Sequence, residues 1–316
     1  MVVNAIGARQ RISYDAGVVP NAKQFELPDD ARSREPIVRA DGISASTTES
    51  YLPAFNEEYF EWIDILESVK NYAAYHAGRR PYVFAELGAG FGRWTVNAVR
   101  ALQQACPGQC EYFLCAVEAD KQHFKWLKQN LRDNGIDPDQ QLLVNAPLTG
   151  DGRRVSFMTG AYGRWFGQAV VGDKYVRNLR VTGRVPGIGR LLLHWIGPWR
   201  RRYKPMQDEI ILKLKSTTLG EVLRKTPHVV DIADLDLQEM EAEVIEAAVP
   251  VINERVMRLH IGTHSLAVEE RLRKCLKGAG WILLRDYPCL GTRETPYGQI
   301  AFGDGVQSWI NPRFQT

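Results

Sequence analysis

A glycine-rich loop behind an acidic residue is the part of the sequence whose spacing points most directly to chemistry. Glu86 ends a short apolar run, and Gly88, Gly90 and Gly92 follow at alternate positions. Glycine permits positive φ angles and close approach of a ligand to the backbone, and amide groups at the start of the next helix can face a ligand carboxylate. The dinucleotide-binding pattern GxGxxG would need a glycine where this chain has Arg93. The loop therefore predicts a ligand site at which nicotinamide is disfavoured, with a plain tight turn as the alternative.

A second acid, Glu118, follows the next predicted strand at residues 112–117. A carboxylate at this place can accept both hydroxyls of an adenosine ribose. The alternative is an acid in the first turn of a helix, where it favours the helix dipole, and Asp120 could fill that role as well. Taken together with Glu86 and the glycines, Glu118 predicts ribose binding.

Polar side chains also lie near the ends of two later predicted strands: Asp234, Asp236, Thr263 and His264. The carboxyl ends of neighbouring parallel strands border the ligand site of a doubly wound sheet, so these residues are candidates for catalysis. A carboxylate could accept the proton of a substrate hydroxyl, and so could His264, because an unperturbed imidazole has a pKa near about 6.5. We favour Asp236 and His264 as the catalytic pair; the alternative for Asp236 is the N-cap of a helix predicted at residues 237–247.

A metal is the alternative chemistry for the same strand ends. Asp234, Asp236, His260 and His264 could together hold a divalent ion. A site for a hard cation usually has more carboxylate ligands than these positions supply. His260 lies inside its predicted strand, as a satisfied core histidine would. We therefore predict no metal site.

Alternating strands and helices are predicted to position these residues. Strands are predicted at residues 82–85, 112–117, 142–145, 155–158, 209–214, 229–233, 257–262 and 281–284, and helices at 93–104, 217–224 and 267–276. An earlier apolar stripe recurs at spacings of three and four and predicts a helix that covers the sheet: Phe55, Tyr59, Trp62, Ile63, Leu66 and Val69. Strands that alternate with helices imply a parallel sheet covered on both faces.

The ordered set of ELGAGFGRW, VEAD, NAPLTGDGRRVSF, TTLGEVL and DLDLQEMEAEVI resembles the FkbM family of S-adenosylmethionine-dependent O-methyltransferases. The resemblance covers about residues 55–311, with the carboxyl-terminal GDGVQSWINPR at its end. At residues 234–241 the chain keeps the aspartate and the last glutamate of the family pattern Lys-Ile-Asp-x-Glu-Gly-Ala-Glu, but it replaces the lysine and the glycine.

This resemblance implies the class I methyltransferase fold, an α/β architecture with a doubly wound, mostly parallel seven-stranded sheet, helices on both faces and an N-terminal helical extension. It implies S-adenosylmethionine as the cofactor. It also implies a set of cofactor-binding residues: Glu86, Gly88, Ala89, Gly90, Phe91, Glu118, Ala119, Asn145 and Ala146.

Composition bounds the class of protein. The 316 residues are 45% hydrophobic and 24% charged, which is typical of a globular chain, and we predict an arm at residues 1–50 before one domain at residues 51–316. Five cysteines without metal-ligand spacing favour a reduced, cytoplasmic setting. The start of the chain lacks a signal-peptide layout, and no apolar run approaches the ~20 residues of a membrane span.

A basic insert lies at about residues 162–207, with ten Lys or Arg and one acid, although the whole chain has a net charge of +3. Trp195 and Trp199 fall on one apolar helical face, and three arginines follow directly. We favour a lid or a contact between copies of the chain; the alternative is contact with an anionic membrane surface. Nucleic acid is disfavoured because no recognised binding motif accompanies the charge.

The resemblance, together with the glycine loop and Glu118, implies transfer of a methyl group from S-adenosylmethionine to a hydroxyl. The resemblance implies that the acceptor is a sugar in a glycan, a glycolipid or a natural product. Two alternatives stay open: a nicotinamide-dependent sugar oxidoreductase, which Arg93 disfavours, and a noncatalytic binding protein that retains the fold.

Overall fold

A computed structural model describes residues 2–3, 9–10, 38–39, 56–108, 111–159, 168–172 and 210–314. Most of the predicted arm at residues 1–50 and most of the predicted basic insert, including Trp195 and Trp199, lie outside the described residues. None of the described helices is long and apolar enough to cross a membrane.

Six α-helices and fifteen β-strands form the regular structure of the described residues. The helices are α1 (Glu57–Tyr75), α2 (Arg93–Ala105), α3 (Lys121–Asp133), α4 (Leu219–Lys225), α5 (Glu241–Arg255) and α6 (Leu266–Gly278). The strands are β1 (Val2–Val3), β2 (Arg9–Gln10), β3 (Val38–Arg39), β4 (Tyr82–Leu87), β5 (Tyr112–Val117), β6 (Leu142–Val144), β7 (Arg154–Thr159), β8 (Ala169–Val171), β9 (Ile210–Lys215), β10 (Ile232–Leu235), β11 (Arg258–Thr263), β12 (Ile282–Tyr287), β13 (Gly291–Thr295), β14 (Gly298–Phe302) and β15 (Gly305–Ile310).

Seven strands form the central sheet, in the order β6-β5-β4-β10-β11-β15-β12. The first five are parallel to one another, and β15 runs antiparallel to both β11 and β12. The order reverses between β4 and β10, which is where a doubly wound sheet binds its ligand. This topology is the class I methyltransferase fold, so the predicted fold class is confirmed. The β13–β14 hairpin and the antiparallel β8-β7-β9 sheet are additions to it.

Helices cover the sheet on both faces because its strands are apolar on both faces. Along β4, Tyr82 and Phe84 are buried with the side chains of α1, α2 and α3. Val83 and Ala85, which alternate with them, are buried with those of α4, α5 and α6. Full burial of such a large apolar side chain stabilises the fold by ~1.5–3 kcal/mol. The sheet is thus a fixed platform, and its strand ends are rigid places for functional side chains.

The buried face of α1 differs from the predicted stripe. Leu66, a member of that stripe, is 46% exposed, and Phe55 lies outside the described residues. Val69 is buried as predicted, but the buried face also includes the polar residues Asp64 and Ser68. The buried residues of α1 are Phe60, Asp64, Ile65, Ser68, Val69 and Tyr72. The predicted buried face was wrong at Leu66, because the spacing of apolar residues does not detect polar residues that are buried against partners on distant strands.

The link from β10 to α5 also differs from prediction. The helix predicted from residue 237 begins at Glu241, and its N-cap position is Met240. Asp236 therefore does not cap it. In the intervening loop, Gln238 and Glu239 have positive φ angles of 51° and 82°.

Candidate functional site

A cleft of about 400 Å³ lies at the carboxyl ends of β4, β5, β10 and β11, and the start of α1 forms one wall. Arg93 also lines it, but its guanidinium lies 3.1 Å from Glu58 Oε1, so that charge is already paired. Eight acidic residues line the cleft: Glu57, Glu58, Glu61, Glu86, Glu118, Asp234, Asp236 and Asp304. An excess of one charge in a concave site attracts ligands of the other sign, so the cleft favours a cationic ligand.

Two glycines of the predicted loop have different physical tasks. Gly88 has a φ of +94°, and a Cβ atom there would lie 1.9 Å from the carbonyl oxygen of Asp236, so the close approach of two strand ends requires glycine. Gly90 has a φ of +52°, and a Cβ atom there would meet nothing within 4 Å. Its amide donates a hydrogen bond to Glu118 Oε2 at 2.7 Å. Gly90 thus presents open backbone to the cleft beside a carboxylate.

Glu118 is buried at the start of the loop after β5. Besides the Gly90 amide, it accepts a hydrogen bond from the Asp120 amide at 2.5 Å, and burial raises the pKa of its carboxyl to about 8. Asp120 itself caps α3 by accepting hydrogen bonds from the amides of Gln122 and His123. The capping role is therefore filled by Asp120, and Glu118 faces the cleft, where a ribose could bind.

Of the other predicted cofactor residues, Ala89, Phe91, Ala119 and Ala146 line the cleft. Asn145 is not part of the lining that the described residues form. Its side-chain amide instead donates hydrogen bonds to the Glu118 and Ala119 carbonyl oxygens, at 2.8 and 3.2 Å. Asn145 therefore holds the loop that carries Glu118.

Glu86 secures the junction between the loop and α2. The N-cap position of that helix is a glycine, which offers no side chain to the helix amides. Glu86 takes over this task by accepting hydrogen bonds from the Thr95 amide at 2.7 Å and from the Thr95 hydroxyl. Burial raises the pKa of Glu86 to about 8, even though these hydrogen bonds oppose it. The acid before the glycines is thus part of the scaffold of the loop.

The predicted catalytic pair lies together at the cleft. The Asp236 side chain is 58% exposed, and its Oδ1 lies 3.3 Å from His264 Nε2. The other ring nitrogen of His264 lies 3.1 Å from Glu241 Oε1. Burial alone would lower the pKa of His264, but the Glu241 hydrogen bond and the charges of Asp236 and Glu241 raise it to about 9. The raised pKa favours the imidazolium form of His264, which pairs with Asp236. The Gln238 side-chain amide also donates a hydrogen bond to Asp236 Oδ1 at 2.8 Å. Asp236 is the exposed group that can accept a proton.

Thr263 does not join this pair. It is fully buried, and its hydroxyl donates a hydrogen bond to Glu269 at 3.2 Å.

A row of polar side chains crosses the sheet beneath the cleft. Strand register places one residue from each of five adjacent strands side by side: Glu86, Asp234, His260, Ser308 and Arg285. Residues in register on neighbouring strands point to the same face of a sheet, here the face covered by α1. We call this set the polar row.

Asp64 of α1 anchors the polar row. Its carboxylate lies 2.6 Å from His260 Nδ1 and also accepts hydrogen bonds from the Ser308 hydroxyl and the Arg285 guanidinium. His260 is thus a buried histidine that is held by a carboxylate at Nδ1. It nevertheless lines the cleft.

The four residues considered together for a metal separate into two groups. Glu61 joins Asp234 and His260, and Glu241 joins Asp236 and His264; in each group the possible ligand atoms lie within 4.8 Å of one another. Sequence reasoning missed the two glutamates. Glu241 is the last acid of the family pattern, which was an available signal, whereas Glu61 is one acid among several at the start of α1.

Comparisons with known proteins show what this chain is similar to. No protein-family model matches the chain. A provisionally named methyltransferase from Jannaschia sp. (strain CCS1) is 25% identical over 256 residues, which are 80% of this chain and 78% of the relative. Among solved structures, the precorrin-6y C5,15-methyltransferase of Geobacter metallireducens GS-15 covers 84% of this chain and 93% of its own at 11% identity, with a TM-score of 0.39. The METTL16 MTase domain covers 79% of this chain and 67% of its own at 10% identity, also with a TM-score of 0.39. The resemblance to the FkbM family stays a prediction, and the fold assignment rests on the strand order of the central sheet.

Proposed function

We propose that this protein is a methyltransferase that uses S-adenosylmethionine. One observation carries the proposal: the backbone of Gly90 is open to an acidic cleft beside the buried carboxylate of Glu118, at the point where the strand order reverses. A ribose diol could replace the backbone amides as a partner of Glu118. The name of the relative from Jannaschia sp. supports the same reading.

The charge of the cleft also suits this cofactor. When bound, S-adenosylmethionine supplies a methyl group on a positively charged sulfur that is already activated for in-line displacement. Transfer leaves a neutral thioether, so an acidic cleft holds the cofactor more tightly than the product. This difference favours release of the product.

The acceptor is, in our proposal, a hydroxyl group next to Asp236. The new carbon–oxygen bond forms as the carbon–sulfur bond breaks, and the hydroxyl proton passes to Asp236, which His264 orients. Alignment of two reactants can supply ~7–11 kcal/mol of barrier reduction, whereas general base catalysis contributes a factor of ~10² to 10⁴. Loss of the base should therefore harm the reaction less than loss of cofactor binding. A sugar as the carrier of the hydroxyl follows from the family resemblance.

Calorimetric titration of the full chain separates the candidate functions. We expect one S-adenosylmethionine to bind per chain and NADH not to bind. Binding of NADH alone would favour the oxidoreductase, and binding of neither would favour a noncatalytic protein. Transfer of a labelled methyl group to a panel of sugar-containing acceptors, with and without the free hydroxyl, then tests the acceptor class.

A further inference from the structure

Three side chains converge where the polar row meets the cleft. Glu61 from α1, Asp234 from β10 and His260 from β11 each offer a ligand atom, and these atoms lie within 4.8 Å of one another. All three line the cleft, although Asp234 and His260 are only 4% and 3% exposed. Glu61 and Asp234 are 173 positions apart along the chain, and Asp234 and His260 are 26 positions apart. The fold, and not local sequence, therefore brings them together.

The orientation of His260 is fixed from behind. Its Nδ1 lies 2.6 Å from Asp64 Oδ2, and Asp64 is held in turn by Ser308 and Arg285. Donation from Nδ1 to this carboxylate leaves Nε2 as the ring nitrogen that can bind a ligand. Metal-binding histidines are typically held in this way, with the second ring nitrogen on a carboxylate.

Asp234 has an unsatisfied oxygen at the same place. Among the described residues its Oδ1 has no hydrogen-bond partner, although the side chain is almost completely buried. A buried polar atom without a partner costs ~1–3 kcal/mol, and more when the group is charged. The neighbouring guanidinium groups do not supply the missing charge, because Arg285 pairs with Asp64 and Glu67, and Arg93 pairs with Glu58.

We propose that Glu61, Asp234 and His260 form a binding site for one divalent metal ion, with Asp64 as the residue that positions His260. Two carboxylates and one imidazole suit ions such as Mn²⁺ and Zn²⁺, and the side of the site that faces the cleft is left for an oxygen of a bound molecule. All three ligands are side chains of the protein itself. Metal binding can therefore be measured without S-adenosylmethionine and without methyl transfer.

Titration of the chelator-treated full chain with Mn²⁺, and separately with Zn²⁺, tests the site. We expect one saturable site per chain by calorimetry, with at least tenfold weaker binding in Asp234→Asn and in His260→Gln. Asp64→Asn should weaken binding by 10- to 100-fold, the usual range for the partner of a metal-binding histidine. Asp236→Asn is the matched control, since it neutralises an aspartate of the other group, and it should bind the ion as the wild type does.

Other results would overturn the site. Absence of saturable binding of either ion to the wild type would exclude it, and loss of binding in Asp236→Asn alone would place the ion at the Asp236, Glu241 and His264 group. Weaker S-adenosylmethionine binding in Glu61→Gln, without any metal binding to the wild type, would assign the three residues to the cofactor's ammonium group. Circular dichroism checks that each variant is folded. Glu61→Gln, at the one partly exposed residue of the three, replaces any variant of the two buried residues that is not folded.

Discussion

At the scale of single residues, Gly90 is the position where backbone geometry and the proposed ligand meet most directly. Its left-handed φ of +52° and the open space around it leave room that a valine side chain would fill. We expect Gly90→Val to weaken S-adenosylmethionine binding at least tenfold, which is about 1.4 kcal/mol, in a calorimetric titration.

Gly78 offers a matched control for this substitution. It also has a left-handed φ, +73°, and open space, but it does not line the cleft. Gly78→Val should therefore lower the melting temperature through the same backbone strain and leave the affinity unchanged. Equal affinity in the two variants would remove the glycine loop from the proposed binding site.

Asp236 and His264 make a second prediction at this scale. Single-turnover methyl transfer with bound cofactor should fall by about two orders of magnitude in Asp236→Asn, since that variant cannot accept the proton. The imidazolium of His264, whose pKa is raised to about 9, orients Asp236, so the wild-type rate should fall as the pH rises through about 9.

Glu241→Gln separates an orienting role of His264 from a merely structural one. It removes the carboxylate that does most to raise the pKa of His264, so the fall in rate should move to lower pH. Wild-type rates in both Asp236→Asn and His264→Ala would show that the acceptor binds elsewhere.

At the scale of elements, the loop between β10 and α5 carries stored strain. Glu239 has a φ of 82°, and it occupies the position where the FkbM pattern that the sequence resembles has glycine. A left-handed conformation costs a non-glycine residue ~1–2 kcal/mol. Glu239→Gly should thus stabilise the protein by up to ~1 kcal/mol in chemical denaturation.

The side chain of Glu239 offsets part of this strain, because its carboxylate accepts a hydrogen bond from the Ser265 hydroxyl at 2.8 Å. A double-mutant cycle with Ser265→Ala isolates that contribution. If Glu239→Gly destabilises the chain even in the Ser265→Ala background, the backbone of this loop is not strained.

The elements also show what a sequence can reveal. The strand at residues 112–117 was predicted with its observed bounds because a strand buried on both faces is a short apolar run whatever its neighbours are. The face of α1 could not be predicted, since Asp64 and Ser68 are buried only by virtue of partners such as His260 and Tyr82. The glycine loop is one continuous stretch of sequence, so it could be predicted from the sequence. The Glu61, Asp234 and His260 group joins three segments, and nothing local signals it.

At the scale of the whole molecule, charge is divided between two regions. The predicted basic insert carries ten Lys or Arg residues, whereas the cleft is lined by eight acidic residues. Within the described residues, Gln168, Ala169 and Val170, which belong to the predicted insert, also line the cleft. The interpretation of the insert as a lid or a contact between copies stays a prediction.

The acidic cleft has a consequence for the stability of the entire fold. Burial raises the pKa of Glu86 and Glu118 to about 8 and that of Asp234 to about 6. In the unfolded chain these carboxyls lose their protons near pH 4 to 5. Between about pH 5 and 8 the folded state therefore holds more protons than the unfolded state. Under this condition the free energy of unfolding decreases as the pH rises.

His264 extends the same trend to higher pH. Its pKa is raised from 6.5 to about 9, so its stabilising charge is present below pH 6.5 and is lost as the pH rises toward 9. His76 acts in the opposite direction, because burial lowers its pKa, but it is only partly buried. The two trends together predict greatest stability near pH 5 and a steady loss toward pH 9.

Chemical denaturation across this pH range tests the prediction. Each pKa unit corresponds to ~1.4 kcal/mol, so the free protein should lose several kcal/mol between pH 5 and 9. Glu118→Gln should flatten the plot of unfolding free energy against pH between pH 5 and 8, because it removes one of the responsible carboxyls. Glu111→Gln is the control: this glutamate is exposed and lies just before β5, so its loss should leave the slope unchanged. S-adenosylmethionine, which adds a positive charge to the cleft, should stabilise the protein more at pH 8 than at pH 5. Stability that rises from pH 5 to 9 would show that the buried carboxylates of the cleft are ionised and paired, as they would be around a tightly bound cation.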